Sequence, residues 1–216
     1  MERPEAAERI ELFANTFDLE SGRDDLADAE RLRQWLVRAR LIERTASVGD
    51  EEHRMCLELR AGIREVLSTE GPHEPHRLAA AEVILEKLPV LVSFTGSSST
   101  VAGQRSGAVL VPATGLAPVH RACALLALDW ATLVMTGQAR RLKRCAEHSC
   151  LWVFWDGSKN QSRRWCSMKV CGNRTKSRRH NERSRRPRTP AALPPGTTVA
   201  LPSCPGRGVP YRLVLP

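Results

Sequence analysis

Four cysteines in one short window constrain the folding of this chain more than any other feature. They form two pairs of identical spacing, Cys145-x4-Cys150 and Cys166-x4-Cys171, with 15 residues between the pairs. Two such pairs can bring four thiolates to the corners of a tetrahedron, the geometry of structural Zn²⁺ sites. So short a segment has little apolar surface, and metal binding would supply much of its folding free energy. The spacing predicts one structural Zn²⁺ bound by these four cysteines.

The residues between the two pairs predict a small hairpin. Leu151 to Trp155 is expected to form one strand, Asp156-Gly157 to start the turn, and Arg163 to Trp165 to return the chain. Two disulfides are the alternative to a metal. The charged first nine residues contain no apolar signal core, which favours a cytoplasmic protein, and disulfides are rare in that reducing compartment.

Two further cysteines and the apolar stretches of the chain fit a water-soluble protein. Cys56 and Cys123 lie among apolar neighbours in predicted helices, where they are expected to be core residues. The longest apolar stretch, Ala122 to Met135, is interrupted by Asp129 and is shorter than the roughly 20 residues that span a bilayer. We expect no membrane partner.

Positive charge is concentrated near the carboxyl end. Residues 140–188 hold 16 Lys and Arg against three acidic residues, a net charge of +13, although the whole chain carries only +9. A zinc ion with four thiolates carries a net charge near −2, so part of this excess can be structural. A solvated charged surface is the alternative for the remainder. The size of the surplus favours a polyanionic partner.

A basic helix is predicted after Cys171, because no helix breaker follows before Pro187. Arg174, Arg178 and Arg185 would share one face of it. Arginine binds both phosphates and guanine edges. The candidate nucleic-acid contacts are Arg163, Arg164, Lys169, Arg174, Lys176, Arg178, Arg179 and Arg183. The nearby aromatic residues are expected to form a small core rather than to stack on unpaired bases: Trp152, Phe154, Trp155 and Trp165.

The first part of the chain predicts a mostly helical domain with a small antiparallel hairpin. Helical spacing of apolar residues predicts helices over Glu5–Phe17, Ala29–Arg40, Asp50–Leu67, Pro75–Leu88 and Leu116–Thr136. Alternation predicts a half-buried strand at Val90–Phe94, with which the short run Ala108–Val111 could pair. We therefore expect an α+β fold followed by a small treble-clef-like zinc module and the basic helix. The predicted divisions are a regulatory domain at 1–137, the zinc module at 138–187 and a Pro-rich disordered tail at 188–216.

Polar residues around the first loop are a candidate small-molecule site. Asn15, Asp18 and Arg23 could line a pocket, although helix termination and turn formation are the favoured explanation of Asn and Asp at such places. No nucleophile with its base, phosphate loop or open metal site accompanies them. An enzyme or a ligand-binding protein is therefore the least favoured function.

Two stretches resemble a known family. The run Trp165 to Arg174, which contains Cys171-Gly172-Asn173-Arg174, resembles the CGNR zinc-finger family, and Arg144-Cys145 to Cys150 fits the same pattern. Leu12 to Arg23 resembles the start of the ABATE domain that precedes this finger in that family. The resemblance implies a bacterial, stress-related transcriptional regulator whose zinc is held by the four paired cysteines.

Two nucleic-acid functions follow from charge and resemblance. The first is a regulator whose zinc module binds duplex DNA and whose acidic domain senses a small-molecule effector or a protein partner. The second is an RNA-binding or ribosome-associated module, which would use the same arginines and expose its tryptophans.

Overall fold

The structure is a computed structural model that describes residues 2–68, 74–94 and 109–185. The predicted tail at 188–216 lies outside these residues. The helices are α1 (Glu5–Ala14), α2 (Ala29–Arg38), α3 (Asp50–Val66), α4 (Pro75–Leu85), α5 (Pro118–Met135) and α6 (Asn173–Arg185). The strands form three antiparallel pairs: β1 (Phe17–Asp18) with β2 (Arg23–Asp24), β3 (Val90–Ser93) with β4 (Val109–Pro112), and β5 (Leu142–Arg144) with β6 (Val153–Trp155). The predicted α+β class is confirmed.

The main core lies between α1, α3 and α5. Ile10, Phe13 and Leu126 are completely buried there, and the Phe13 ring lies 5.4 Å from that of Trp35. The first four helices begin where the sequence predicted and end one to three residues earlier. Apolar spacing continues into the residue that caps a helix, so periodicity overestimates helix length.

The chain turns sharply after α1. Asn15 caps the helix, and Phe17, predicted to be its last residue, instead begins the short β1–β2 hairpin. Asp18 accepts hydrogen bonds from the Glu20 amide and the Ser21 hydroxyl, which hold the turn between the two strands. Asp therefore forms a turn here, as it commonly does.

Helices α3 and α4 approach each other closely at Gly62. A methyl group added to Gly62 would lie 2.2 Å from the Cβ of Ala81, well inside van der Waals contact. The missing side chain of glycine is thus what allows these two helices to pack.

The β3–β4 hairpin exists, but its predicted half-buried face is wrong. Val90, Leu91 and Val92 are 41%, 47% and 63% exposed, so side chains on both faces of β3 meet solvent. Among the described residues, the hairpin contacts α5 through β4. Alternation of side chains predicts a strand. Burial of one face also requires another element packed against it, and local sequence does not determine whether one is present.

Buried polar and thiol groups join the core helices. Asp129, which interrupts the apolar stretch, accepts two hydrogen bonds from the Arg9 guanidinium at 2.7 and 2.8 Å and so links α5 to α1. Cys56 and Cys123 are fully buried with their Sγ atoms 3.2 Å apart, which confirms their predicted place in the core. No helix in the described part of the chain is long and apolar enough to cross a membrane.

The hairpin beside the cysteines is built differently from the prediction. Strand β6 pairs with Leu142–Arg144, which precede the first cysteine pair, and not with Arg163–Trp165. The reason is Asp156, a fully buried carboxylate that accepts hydrogen bonds from Lys143 Nζ at 2.8 Å and from the Arg163 amide at 3.0 Å. These hydrogen bonds hold the residues after β6 in a loop, because burying a carboxylate is costly unless donors compensate for its lost hydration.

Candidate metal centre and basic helix

The four paired cysteines converge on one point. Their Sγ atoms all lie within 4.8 Å of one another, with Cys150 to Cys166 at 3.6 Å and Cys166 to Cys171 at 3.7 Å. Sulfurs held about 2.3 Å from a tetrahedral zinc ion are roughly 3.8 Å apart, whereas a disulfide requires about 2 Å. The spacing fits a shared Zn²⁺, and the four cysteines form its site.

The first cysteine pair lies in the loop that joins β5 to β6. The Cys145 amide donates to the Trp152 carbonyl at 2.8 Å, which closes the loop. The Cys150 thiol and the backbone amides of Glu147 and Cys166 lower the pKa of Cys145. The two amides remain when all four cysteines are deprotonated, so they also favour metal binding, because zinc takes cysteine as the thiolate.

The second pair leads directly into α6. Residues Met168–Gly172 form a π-helical turn, Cys171 lies within it, and α6 begins at Asn173. The Asn173 side chain donates to the Lys169 carbonyl at 3.0 Å, and a methyl group added to Gly172 would lie 2.4 Å from Met168 Sδ. Cys171 therefore lies just before the amino-terminal end of α6, where the helix dipole is favourable for negative charge.

Glu147 joins the first cysteine loop to α6. It is completely buried and accepts hydrogen bonds from the Thr175 hydroxyl at 2.6 Å and from Arg178 Nη1 at 2.8 Å. Burial alone would raise the pKa of Glu147, but these donors outweigh it and lower the pKa to about 2. Thr175 in turn accepts from Trp165 Nε1 at 3.2 Å. This network fixes the rotation of α6 on the metal site.

Arg174 joins the metal site to the β1–β2 hairpin. Its guanidinium donates to Ser149 Oγ at 3.0 Å and to Glu20 Oε1 at 2.9 Å. Glu20 raises the pKa of Arg174 through this contact. Cys171, Asn173 and Arg174 thus have three separate physical tasks: metal ligand, turn closure and attachment to the first part of the chain.

Two family models match consecutive parts of the chain. Residues 11–137 match ABATE, whose description is "Putative stress-induced transcription regulator", and this match alone covers more than half of the chain. The chain belongs to the ABATE family. Residues 141–184 match the CGNR zinc finger. Both matches, in this order, confirm the resemblance predicted from sequence, and the two families are of regulator and zinc-finger type. No curated protein matches the chain.

The structure divides the candidate nucleic-acid contacts of this ABATE protein into two groups. Arg163 donates to the Cys166 carbonyl at 2.7 Å, and Arg164 lies 5.4 Å from the centre of the Trp165 ring. Arg174 and Arg178 likewise have partners within the CGNR finger, namely Ser149 and Glu147. Lys169, Lys176 and Arg179 are exposed, as Arg163 and Arg164 also are. Arg183 lies in α6, and its side chain is outside the described atoms.

Most of the aromatic side chains near the CGNR finger are at least partly buried. Phe154 is buried beside the cysteines, and Trp165 packs against the same cluster. Trp155 packs against the main core. Trp152 is 36% exposed. These positions agree with the small core that the sequence favoured, with Trp152 as its exposed member.

The three polar residues proposed as a small-molecule site have other contacts. The Asn15 amide pairs with the backbone of Val153, and Asp18 closes the β1–β2 turn. Arg23 donates to Asp25 Oδ1 at 2.8 Å. Their role in ligand binding stays a prediction, and their observed contacts are those of turn formation and docking.

Sequence reasoning missed two buried arginines of α3. Arg60 donates to both carboxylate oxygens of Asp24 at 2.7 Å, and Arg64 donates to the backbone carbonyls of Ala14 and Leu151 at 2.6 and 3.2 Å. Their spacing of one helical turn, directly beside the apolar stripe of α3, is the signal that could have revealed them.

Proposed function

We propose that the protein is a zinc-dependent transcriptional regulator that acts in the cytoplasm and binds duplex DNA through α6. In this proposal residues 1–137 form the sensing or interaction domain and residues 138–187 the DNA-binding module. The observation that carries the proposal is the orientation of α6, whose outward face is basic and exposed while its inward face is fixed to the metal site.

The inward face of α6 is occupied by Thr175 and Arg178, which bind Glu147. Helical periodicity groups Lys176, Arg179 and Arg183 on a neighbouring face, roughly 100° around the helix axis from these two residues, and Lys176 and Arg179 are exposed there. A helix of 13 residues is about 20 Å long and narrow enough to enter the major groove of DNA, which is roughly 12 Å wide. Arginine and lysine on its outward face would contact the phosphates on either side.

The salt dependence of DNA binding tests this proposal. Fluorescence anisotropy with a mixed-sequence duplex should give a linear fall of log K with log salt concentration. The double variant Lys176→Ala/Arg179→Ala should reduce that slope by about 2, since each lost phosphate contact removes about one unit. The matched control, Arg31→Ala/Arg54→Ala, removes the same charge from exposed positions of α2 and α3 and should leave the slope unchanged. Equal slopes in all three proteins, or no binding near physiological salt, would contradict the proposal.

The exposed ring of Trp152 favours a second candidate, an RNA-binding or ribosome-associated module. Single-strand binders stack bases on exposed aromatic rings. Competition between duplex DNA and single-stranded RNA for the same protein separates the two candidates. A preference for RNA that Trp152→Ala abolishes, with zinc content unchanged, would favour the second.

A further inference from the structure

A pocket of about 550 Å³ lies where the CGNR finger meets the first part of the chain. One wall is the β1–β2 hairpin, a second is formed by α3 and the start of α4, and the third is the finger, which contributes His148 and Leu151. Its volume falls within the roughly 300 to 1,000 Å³ of small-molecule sites.

Four arginines line this pocket. They are Arg60, Arg64, Arg77 and Arg144. Three of them have carboxylate partners: Arg60 pairs with Asp24, Arg77 with Glu74 and Arg144 with Glu65. Two of these carboxylates, Asp24 and Glu74, also line the pocket, so its wall carries an excess of positive charge.

Arg64 differs from the other three. It is only 7% exposed, and its hydrogen bonds within the described part of the chain go to backbone carbonyls, those of Ala14, Phe17 and Leu151. Within the described part of the chain, no carboxylate forms an ion pair with it. Burial, together with the neighbouring arginines, lowers the pKa of Arg64 to about 10. A buried cation without a counter-ion is costly unless an anion arrives to pair with it.

The pocket also has an apolar side. The Phe17 ring lies 5.7 Å from the guanidinium of Arg60 and 5.6 Å from that of Arg64, and Leu57 and Leu151 extend this surface. Apolar walls with a few converging charges are typical of sites for small organic molecules. Such a lining suits an oxyanion that carries a carbon skeleton.

We propose that this pocket binds a small organic oxyanion, whose phosphate or carboxylate group pairs with Arg64 and Arg77. Because one wall belongs to the finger, the bound anion would contact both parts of the chain and stabilise their docked arrangement. The anion would thereby act as the effector of DNA binding, a consequence that rests on the function proposed above.

Isothermal titration calorimetry tests the binding site without DNA. Inorganic phosphate and succinate are titrated separately at constant ionic strength, with chloride as the blank, so that the two arms distinguish phosphate from carboxylate recognition. At least one probe should bind with one site per chain. Arg77→Ala should weaken that binding about tenfold, the usual effect of losing one charge-assisted hydrogen bond.

Arg31→Ala is the matched control, because Arg31, like Arg77, is a helical arginine paired with an acidic residue three positions earlier. It should bind the probe as the unmodified protein does. Arg64→Met should abolish binding, and its zinc content shows whether it has folded. The proposal is overturned if neither probe binds in the millimolar range, or if Arg77→Ala and Arg31→Ala bind equally well.

The effect on DNA is measured separately, as the ratio of DNA affinities with and without saturating probe. A ratio that differs from one in the unmodified protein, and returns to one in Arg77→Ala, supports the effector role. If the ratio is one and the anion still binds, the effector role is rejected but the anion site is not. If the protein does not bind DNA at all, the proposed DNA-binding function fails, and the calorimetric test of the anion site remains valid.

Discussion

The side-chain amide of Asn15 and the backbone of Val153 exchange two hydrogen bonds, each 2.8 Å long. The Asn15 Nδ2 donates to the Val153 carbonyl, and its Oδ1 accepts from the Val153 amide. One side chain thus satisfies both backbone groups of a fully buried residue of β6, as a neighbouring strand would. This contact attaches the CGNR finger to the end of α1.

Asn15→Ala should destabilise the protein by about 2 to 3 kcal/mol, because it removes two hydrogen bonds and leaves a buried amide and carbonyl without partners. Urea unfolding measures the loss. Asn160→Ala, at an exposed position of the finger, is the control and should change the free energy of unfolding by less than about 0.5 kcal/mol. Equal effects of the two substitutions would show that the Asn15 contact contributes nothing.

Thr175→Val should loosen α6, because it leaves Trp165 Nε1 and the buried carboxylate of Glu147 each without one partner. We expect a cost of about 2 kcal/mol, which corresponds to roughly 30-fold faster hydrogen exchange in α6. Thr175→Ser keeps the hydroxyl and should exchange at nearly the original rate. Fast exchange in both variants would mean that the methyl group, and not the hydroxyl, holds the helix.

Removal of one metal ligand should abolish stoichiometric zinc binding. Purified protein is expected to contain one zinc ion per chain and Cys166→Ser much less, measured by atomic emission. Since zinc contributes on the order of 10 kcal/mol to the folding of such modules, the variant should also lose the helicity of α6 by circular dichroism. Cys204→Ser, which changes a cysteine outside the two spaced pairs, should retain full zinc content.

The contact between α3 and α4 predicts that Gly62→Ala changes from destabilising to stabilising when Ala81 is also replaced by glycine. Gly62→Ala should destabilise the protein by about 1 to 3 kcal/mol, because the added methyl group overlaps the Cβ of Ala81. With Ala81→Gly already present, the added methyl group keeps only ordinary van der Waals contacts, with the Arg77 carbonyl oxygen at 3.5 Å and the Cα of residue 81 at 3.7 Å. It should then stabilise the protein by up to about 1 kcal/mol through helix propensity. Thermal unfolding of the four proteins in this cycle measures both values. Additive effects would exclude a direct contact.

The ion pair of Asp24 with Arg60 predicts a pH dependence. Burial alone would raise the pKa of Asp24, but hydrogen bonds from Arg60 and the Leu26 amide hold it below its ordinary value. An Asp with a lowered folded-state pKa stabilises the protein above the unfolded value of about 3.9, and this contribution is lost as pH falls through the folded pKa. The unmodified protein should therefore exceed Asp24→Asn in stability most above about pH 5. A difference independent of pH in urea titrations would contradict the assignment.

Local patterns predicted much of the fold. The first four helices begin at the expected residues, whereas α5, expected from Leu116, begins at Pro118. Gly137, just after α5, has a left-handed φ of 68°. Errors arose where the outcome depends on distant residues. The exposed β3–β4 hairpin and the pairing of β6 with Leu142–Arg144 are both of this kind. Exposure of the β3–β4 hairpin depends on which other elements cover its strands. The pairing of β6 depends on the Asp156 carboxylate, whose hydrogen bonds hold the residues after β6 in a loop.

The sequence by itself determined the zinc ligands, because two identically spaced cysteine pairs within 27 residues can reach one metal with little help from the rest of the chain. It also determined that a basic helix follows them. Only the tertiary structure decided which arginines face outward, since Arg174 and Arg178 are bound by Glu20 and Glu147 from distant parts of the chain. It likewise placed Arg64 beside the finger. The physical reason is that a ligand set depends on short-range geometry, whereas the availability of a charge depends on every group that folding brings near it.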